Sequence, residues 1–154
     1  MSMNSSFLYG YGFPCECNDE NFIDFLKQHK DTFCQSESEK KLYQEFLEQT
    51  KDKYNVDLDY LFSGYECESN GMEGLGAVIA NIMYRETDIR FLYAPANDEC
   101  ETEASILFEQ TMPWHLNDTE RALTEESMND ICQRYTKELG ILSEPDYLSL
   151  EYFG

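Results

Sequence analysis

Apolar and polar residues alternate near the start of the chain. Phe7, Tyr9, Tyr11 and Phe13 fall on one side of an extended segment, with glycines between the last three. A period of two predicts a strand, and Pro14, which lacks a ladder donor, ends it. The period then changes. Asn18 is placed to cap a helix whose first turn holds Asp19 and Glu20, and Phe22, Phe25, Leu26, His29 and Phe33 form its apolar stripe. Ser36 and Glu39 make a capping box for a second helix with Leu42, Tyr43, Phe46 and Leu47 on one side. Leu75, Val78, Ile79, Ile82 and Met83 predict a buried helix to about Glu86, and Met128, Ile131, Cys132, Tyr135 and Leu139 a last one stopped by Gly140.

Strands are predicted at Arg90–Ala94, before Pro95, and at Ala104–Thr111, where Ile106 and Phe108 point one way. The loop 96–103 joins them as a hairpin, and Tyr147–Phe153 closes the chain as a final strand. Tyr60–Tyr65 is compatible with a short strand or a turn. No repeat or linker divides residues 1–154. The expectation is one α+β domain: a mainly antiparallel sheet with about four helices packed on one face.

Residues 65–84, YECESNGMEGLGAVIANIMY, offer two ligand motifs that fail on inspection. Read as a calcium loop, Glu66, Glu68, Asn70 and Gly71 fill the first half, but the closing bidentate position falls on Ala77. Read as a phosphate cradle, the order is G-x-x-G-x-G, with Glu73 inside it and no lysine after it. The stretch is expected to be a turn into a core helix, decorated with acids.

Charge changes the picture most. Thirty-one carboxylates face eleven Lys and Arg, a net of −20, where a small domain carries roughly 2–8 charges of either sign. Twenty-two aromatics and an apolar fraction of 42% still demand a packed core. The excess is uneven. Residues 1–53 carry a net of −4 and residues 54–154 a net of −16, and 91–120 contain seven acids and no Lys or Arg. Direct binding to nucleic acid or an anionic membrane is disfavoured, because both need cations that neutralise phosphate. A basic protein is the expected partner.

Six cysteines show no framework rhythm, and the chain lacks a signal-peptide pattern or an apolar run of membrane-spanning length. A cytoplasmic protein with reduced thiols is expected. Cys15, Cys17, His29 and Cys34 are residue types that zinc accepts, but C-x-C is tighter than the usual knuckle. No cofactor or metal is expected. Catalysis has little footing: His115 is a possible base, and no cysteine lies in a basic setting that would activate it.

The acids themselves are spaced in twos, as in Glu66/Glu68 and the triplet Glu99/Glu101/Glu103 beside Asp98. In an extended chain such residues would share a face, about 6.6–6.8 Å apart. A fixed row of anions imitates a nucleic-acid backbone, and Tyr93 and Trp114 are expected to anchor the partner. Acids that merely guard a strand edge are the plain alternative. The functional expectation is a non-enzymatic inhibitor that occupies the basic groove of a nuclease or similar protein. By analogy of composition alone, phage anti-restriction and anti-CRISPR proteins fit this description. Alternatives are an immunity protein against a basic nuclease toxin, and a small metal-binding regulator or enzyme built on Cys15, Cys17, His29 and Cys34.

Overall fold

The computed structural model describes residues 5–51, 56–99 and 101–153. Cys100 lies outside them, as does the side chain of Phe7. A four-stranded antiparallel sheet of order β2-β3-β1-β4 is packed with helices, giving the expected α+β architecture. The strands are β1 (Ser5–Pro14), β2 (Leu92–Ala94), β3 (Ser105–Glu109) and β4 (Asp146–Phe153). The helices are α1 (Asp19–Gln28), α2 (Lys30–Phe33), α3 (Glu37–Thr50), α4 (Leu58–Leu61), α5 (Leu75–Thr87), α6 (Asp118–Arg121) and α7 (Glu125–Leu139).

The four long helices are the four that the apolar stripes predict, and their caps form as the sequence implies. Asn18 accepts from the Asn21 amide, Ser36 and Glu39 close a reciprocal box, and Gly140 ends α7. Helix α5 is apolar nearly all round and is buried from Gly76 to Met83, as a helix must be when it offers no polar face to water. It forms the centre of a core that includes Phe13 and Tyr11 of β1, Ile106 of β3, Phe22, Phe25, Phe46 and Tyr135.

Three expectations change. The stripe from Phe22 to Phe33 is not one helix, because the backbone leaves helical dihedrals at His29 and restarts as α2. Residues 60–65 contain no strand: Asp57 caps the short helix α4, which runs into a turn. Arg90 lies outside β2, since its amide and guanidinium both donate to Glu120 rather than to a strand partner. The stretch 65–74 is a tight turn pinned to α5, with Asn81 accepting from the Glu68 amide and donating to the Glu66 carbonyl.

Candidate protein-docking surface

The sheet has two faces of different character. In an antiparallel ladder, directly opposed residues share a face. Tyr11 opposes Phe108 and Phe13 opposes Ile106, and this set faces the helices. The alternate set is Leu8 opposite Leu150, Gly10 opposite Leu148, Gly12 opposite Leu107, and Leu107 opposite Leu92. These leucines, with Ala94, form a separate apolar cluster made of strand residues alone. Leu107 is fully buried beneath the half-buried Leu8, Leu148 and Leu150. Among the described residues, no helix contributes to this second cluster.

A groove of about 530 Å³ opens on this side. Leu8, Leu92, Ala94, Leu150 and Met72 line its floor and wall, and Asp98, Glu99 and Glu109 its rim. Its shape follows from the sequence. Two glycines in β1 leave the middle of the face without side chains, and at Gly12 the neighbouring strand approaches closely. The 97–102 turn is closed by reciprocal backbone hydrogen bonds of 3.0 Å between Asn97 and Thr102, which holds Asp98 and Glu99 over the groove's end.

Charge is sorted between the layers. The described Lys and Arg residues lie on α1, α2, α3, α5, α6 and α7, at Lys51 just after α3, or at Arg90 just before β2. The strands and the β2–β3 turn carry none. Ion pairs follow the same division: Arg85 holds Glu39 and Glu68, Arg90 holds Glu120, and Arg134 approaches Glu86 and Glu138. Asp98, Glu99, Glu101, Glu103, Glu109 and Asp146 are exposed. Among the described residues no cation pairs with them.

The residues expected to bind a partner are thus brought together only in part. Asp98, Glu99 and Glu101 lie in the one 97–102 turn with Glu103 just past it, and they do not form a ladder. The chain turns between Asp98 and Glu101, and Glu101 adopts a left-handed φ of 54°. Tight turning rather than extension crowds these carboxylates. Glu68 is neutralised by Arg85, and Glu66 sits in the separate 65–74 turn. Tyr93 is half-buried, lines the groove and packs against α5. Its ring lies where a side chain at position 76 would sit, so that a Cβ added to Gly76 would come within 2.1 Å of it. Burial pushes its hydroxyl pKa up. Trp114 is 74% exposed, but it follows β3 at the end opposite the 97–102 turn, where the His115 carbonyl accepts from Arg90. It does not line the groove. Sequence reasoning missed Leu8, Leu92, Leu148, Leu150 and Glu109. The signal was there, since Leu148 and Leu150 recur two residues apart within the predicted strand.

The other clusters of reactive groups are internal. His29 is buried, with Nδ1 2.7 Å from Glu86 and Nε2 2.8 Å from Glu138. Its ring ties α5 and α7 to the end of α1 and has no free nitrogen for a metal. Burial works against the charge of Glu86, but donations from Tyr135, His29 and Thr32 hold its carboxyl below the usual range. Cys15, Cys17, His29 and Cys34 do not converge, and no three His, Cys, Asp or Glu among the described residues are grouped to hold a metal. Burial and then the neighbouring Cys17 push the Cys15 thiol up to about 12, and burial and then Asp19 push Cys17 to about 11. Neither is an activated nucleophile. The described cysteines are free, and no described helix is long and apolar enough to cross a membrane.

Fold and surface therefore define an acidic α+β protein with helices on one face of its sheet and an anion-rimmed leucine groove on the other. Compared with protein-family models, curated proteins and solved structures, the chain matches none.

Proposed function

We propose that the protein is a non-enzymatic binding protein that occupies the nucleic-acid groove of a basic partner and blocks it. A nuclease is the kind of partner that fits, and an anti-restriction or anti-CRISPR inhibitor acting in the cytoplasm is one form the activity would take. One observation carries this reading: the cations of the described residues belong to the helical layer and its flanks, while the sheet layer presents carboxylates alone. Such a surface repels phosphate and attracts the Lys and Arg that normally hold it. The turn at Asp98–Glu103 supplies the density of charge, and unpaired acids are free to exchange water for guanidinium or ammonium groups.

The test is affinity capture on immobilised protein, comparing wild type with the Glu99→Lys, Glu101→Lys, Glu103→Lys triple variant. Nucleic-acid-handling proteins should be retained at about 0.05 M salt, released towards about 0.5 M as charges are screened, and displaced by duplex DNA. Retention that survives both the charge reversals and high salt, or that DNA does not disturb, would refute the reading.

A further inference from the structure

We infer that the open face of the sheet is the docking site itself, and that it takes an amphipathic segment of the partner in which large apolar side chains alternate with Lys or Arg. This rests on the preceding reading that the partner is a basic protein, and it adds where the partner sits and what else it must carry. The groove of about 530 Å³ falls within the roughly 300–1,000 Å³ of pockets that enclose sizeable ligands. Its floor is leucine, which charge alone does not require. An acid-only surface would need no second apolar cluster, yet Leu8, Leu148 and Leu150 remain half-buried there.

The occupant follows from charge. A second copy of this chain would bring the same strands, with no Lys or Arg on them, against Asp98, Glu99 and Glu109. Like charges facing across an apolar contact disfavour that pairing. A partner segment with alternating character satisfies both halves of the site. Its apolar side chains fill the space between Leu92 and Leu150, and its cations reach the carboxylates at the rim. Apolar anchors at the centre with charges at the edge are the usual division of labour in protein interfaces.

The test uses two synthetic peptides of equal length, one alternating Leu and Lys and one of Lys alone, titrated into isotopically labelled full-length protein. Amide shifts caused by the Leu/Lys peptide should gather on Leu8, residues 92–99 and residues 148–150, and it should bind about tenfold more tightly than the all-Lys peptide. Leu150→Asp should weaken Leu/Lys binding about tenfold, and Leu150→Thr, which suits a strand, should weaken it in the same direction. Leu142→Asp, at a site 97% exposed outside the groove, should leave it unchanged. Shifts concentrated on the helices, equal affinity for the two peptides, or identical behaviour of Leu150→Asp and Leu142→Asp would overturn the inference. The wild-type map decides the matter even if a variant fails to fold. The two readings fail separately. Groove binding without capture of any nucleic-acid-handling protein would refute the proposed function alone. Salt-sensitive, DNA-displaced capture by a chain whose groove ignores the Leu/Lys peptide would refute only the docking site.

Discussion

Glu39→Gln isolates what a buried charge contributes in a protein with so many exposed ones. Glu39 sits at the third position of α3 and is only 6% exposed. One carboxylate oxygen accepts from the amides of Ser36 at 3.0 Å and Gln35 at 3.3 Å. The other accepts from the Tyr65 hydroxyl at 2.6 Å and from Arg85 at 2.8 Å. Glutamine keeps the shape and the capping acceptor, but turns an amide NH₂ towards the guanidinium, so donor meets donor. Removing one member of a buried pair costs about 3–5 kcal/mol. Arg85 retains Glu68 and the carbonyls of Thr32 and Phe33, which puts the expected loss lower, at about 2–3 kcal/mol. For a chain of this size that corresponds to a fall in Tm of about 4–12 °C.

The same substitution has a pH signature. Burial works against the charge of Glu39, but the hydrogen bonds from Tyr65, Arg85 and Ser36 hold its carboxyl below the usual range. A depressed folded-state pKa contributes stability that is complete above the ordinary carboxylate value of about 4.3 and is lost as pH falls through the folded value. The gap between wild type and Glu39→Gln should therefore be full at neutral pH and narrow below about pH 4. Urea denaturation at both pH values measures it, and a cycle with Arg85→Met gives the coupling. A neutral-pH loss under about 0.5 kcal/mol, a gap that does not narrow in acid, or additivity within about 0.5 kcal/mol would refute the assignment.

Two further outcomes follow from other parts of the fold. Gly12→Ala places a Cβ 1.9 Å from the Ile106 carbonyl oxygen and 2.6 Å from the Leu107 Cα. Backbone cannot swing aside, so the urea midpoint should fall by the equivalent of about 3 kcal/mol, at the upper end of overpacking costs. Gly64→Ala, with nothing within 4 Å, serves as the control, and equal midpoints would contradict the close approach of β1 and β3. Raising salt from about 0.02 to 0.5 M should increase Tm, because screening relieves repulsion among carboxylates with which no described cation pairs. A flat or falling Tm would mean that the net charge of −20 does not strain the folded state.

Periodicity made most of this fold legible. Stripes of three and four revealed the long helices, because burying a helix face demands that spacing whatever the tertiary context. Alternation likewise revealed β1. What periodicity hid was the second apolar face. Phe13 and Tyr11 dominate β1 by size, so Leu8 beside Gly10 and Gly12 reads as filler, although the register sets Leu8 against Leu150 and Gly10 against Leu148. Pair spacing of acids misled for the opposite reason. Glu99, Glu101 and Glu103 share a face only if the chain between them is extended, and the hydrogen bonds between Asn97 and Thr102 bend it instead. The packing of Tyr93 on Gly76 is not legible in the sequence, because it exists only where α5 crosses β2.

Guarding a strand edge is the rival account of the sheet layer's acids, and the distribution of charge speaks against it. The sheet has two edges. The long one is β4, paired to β1 from Asp146 to Phe153 and, among the described residues, to no other strand. Protection against edge-to-edge pairing would concentrate charge there, but β4 holds two acids, Asp146 and Glu151, against four between β2 and β3. The short one is β2, three residues whose middle carbonyl, on Tyr93, already accepts from Asn70 at 2.9 Å. Little remains on it to protect. Yet four carboxylates, Asp98, Glu99, Glu101 and Glu103, stand between β2 and β3, beside the edge that needs them least, and Asp98 and Glu99 line the leucine groove. Crowding them there costs stability whenever no cation is near. The proposed cationic partner, seated in the groove, would remove that cost, whereas edge protection leaves it unexplained.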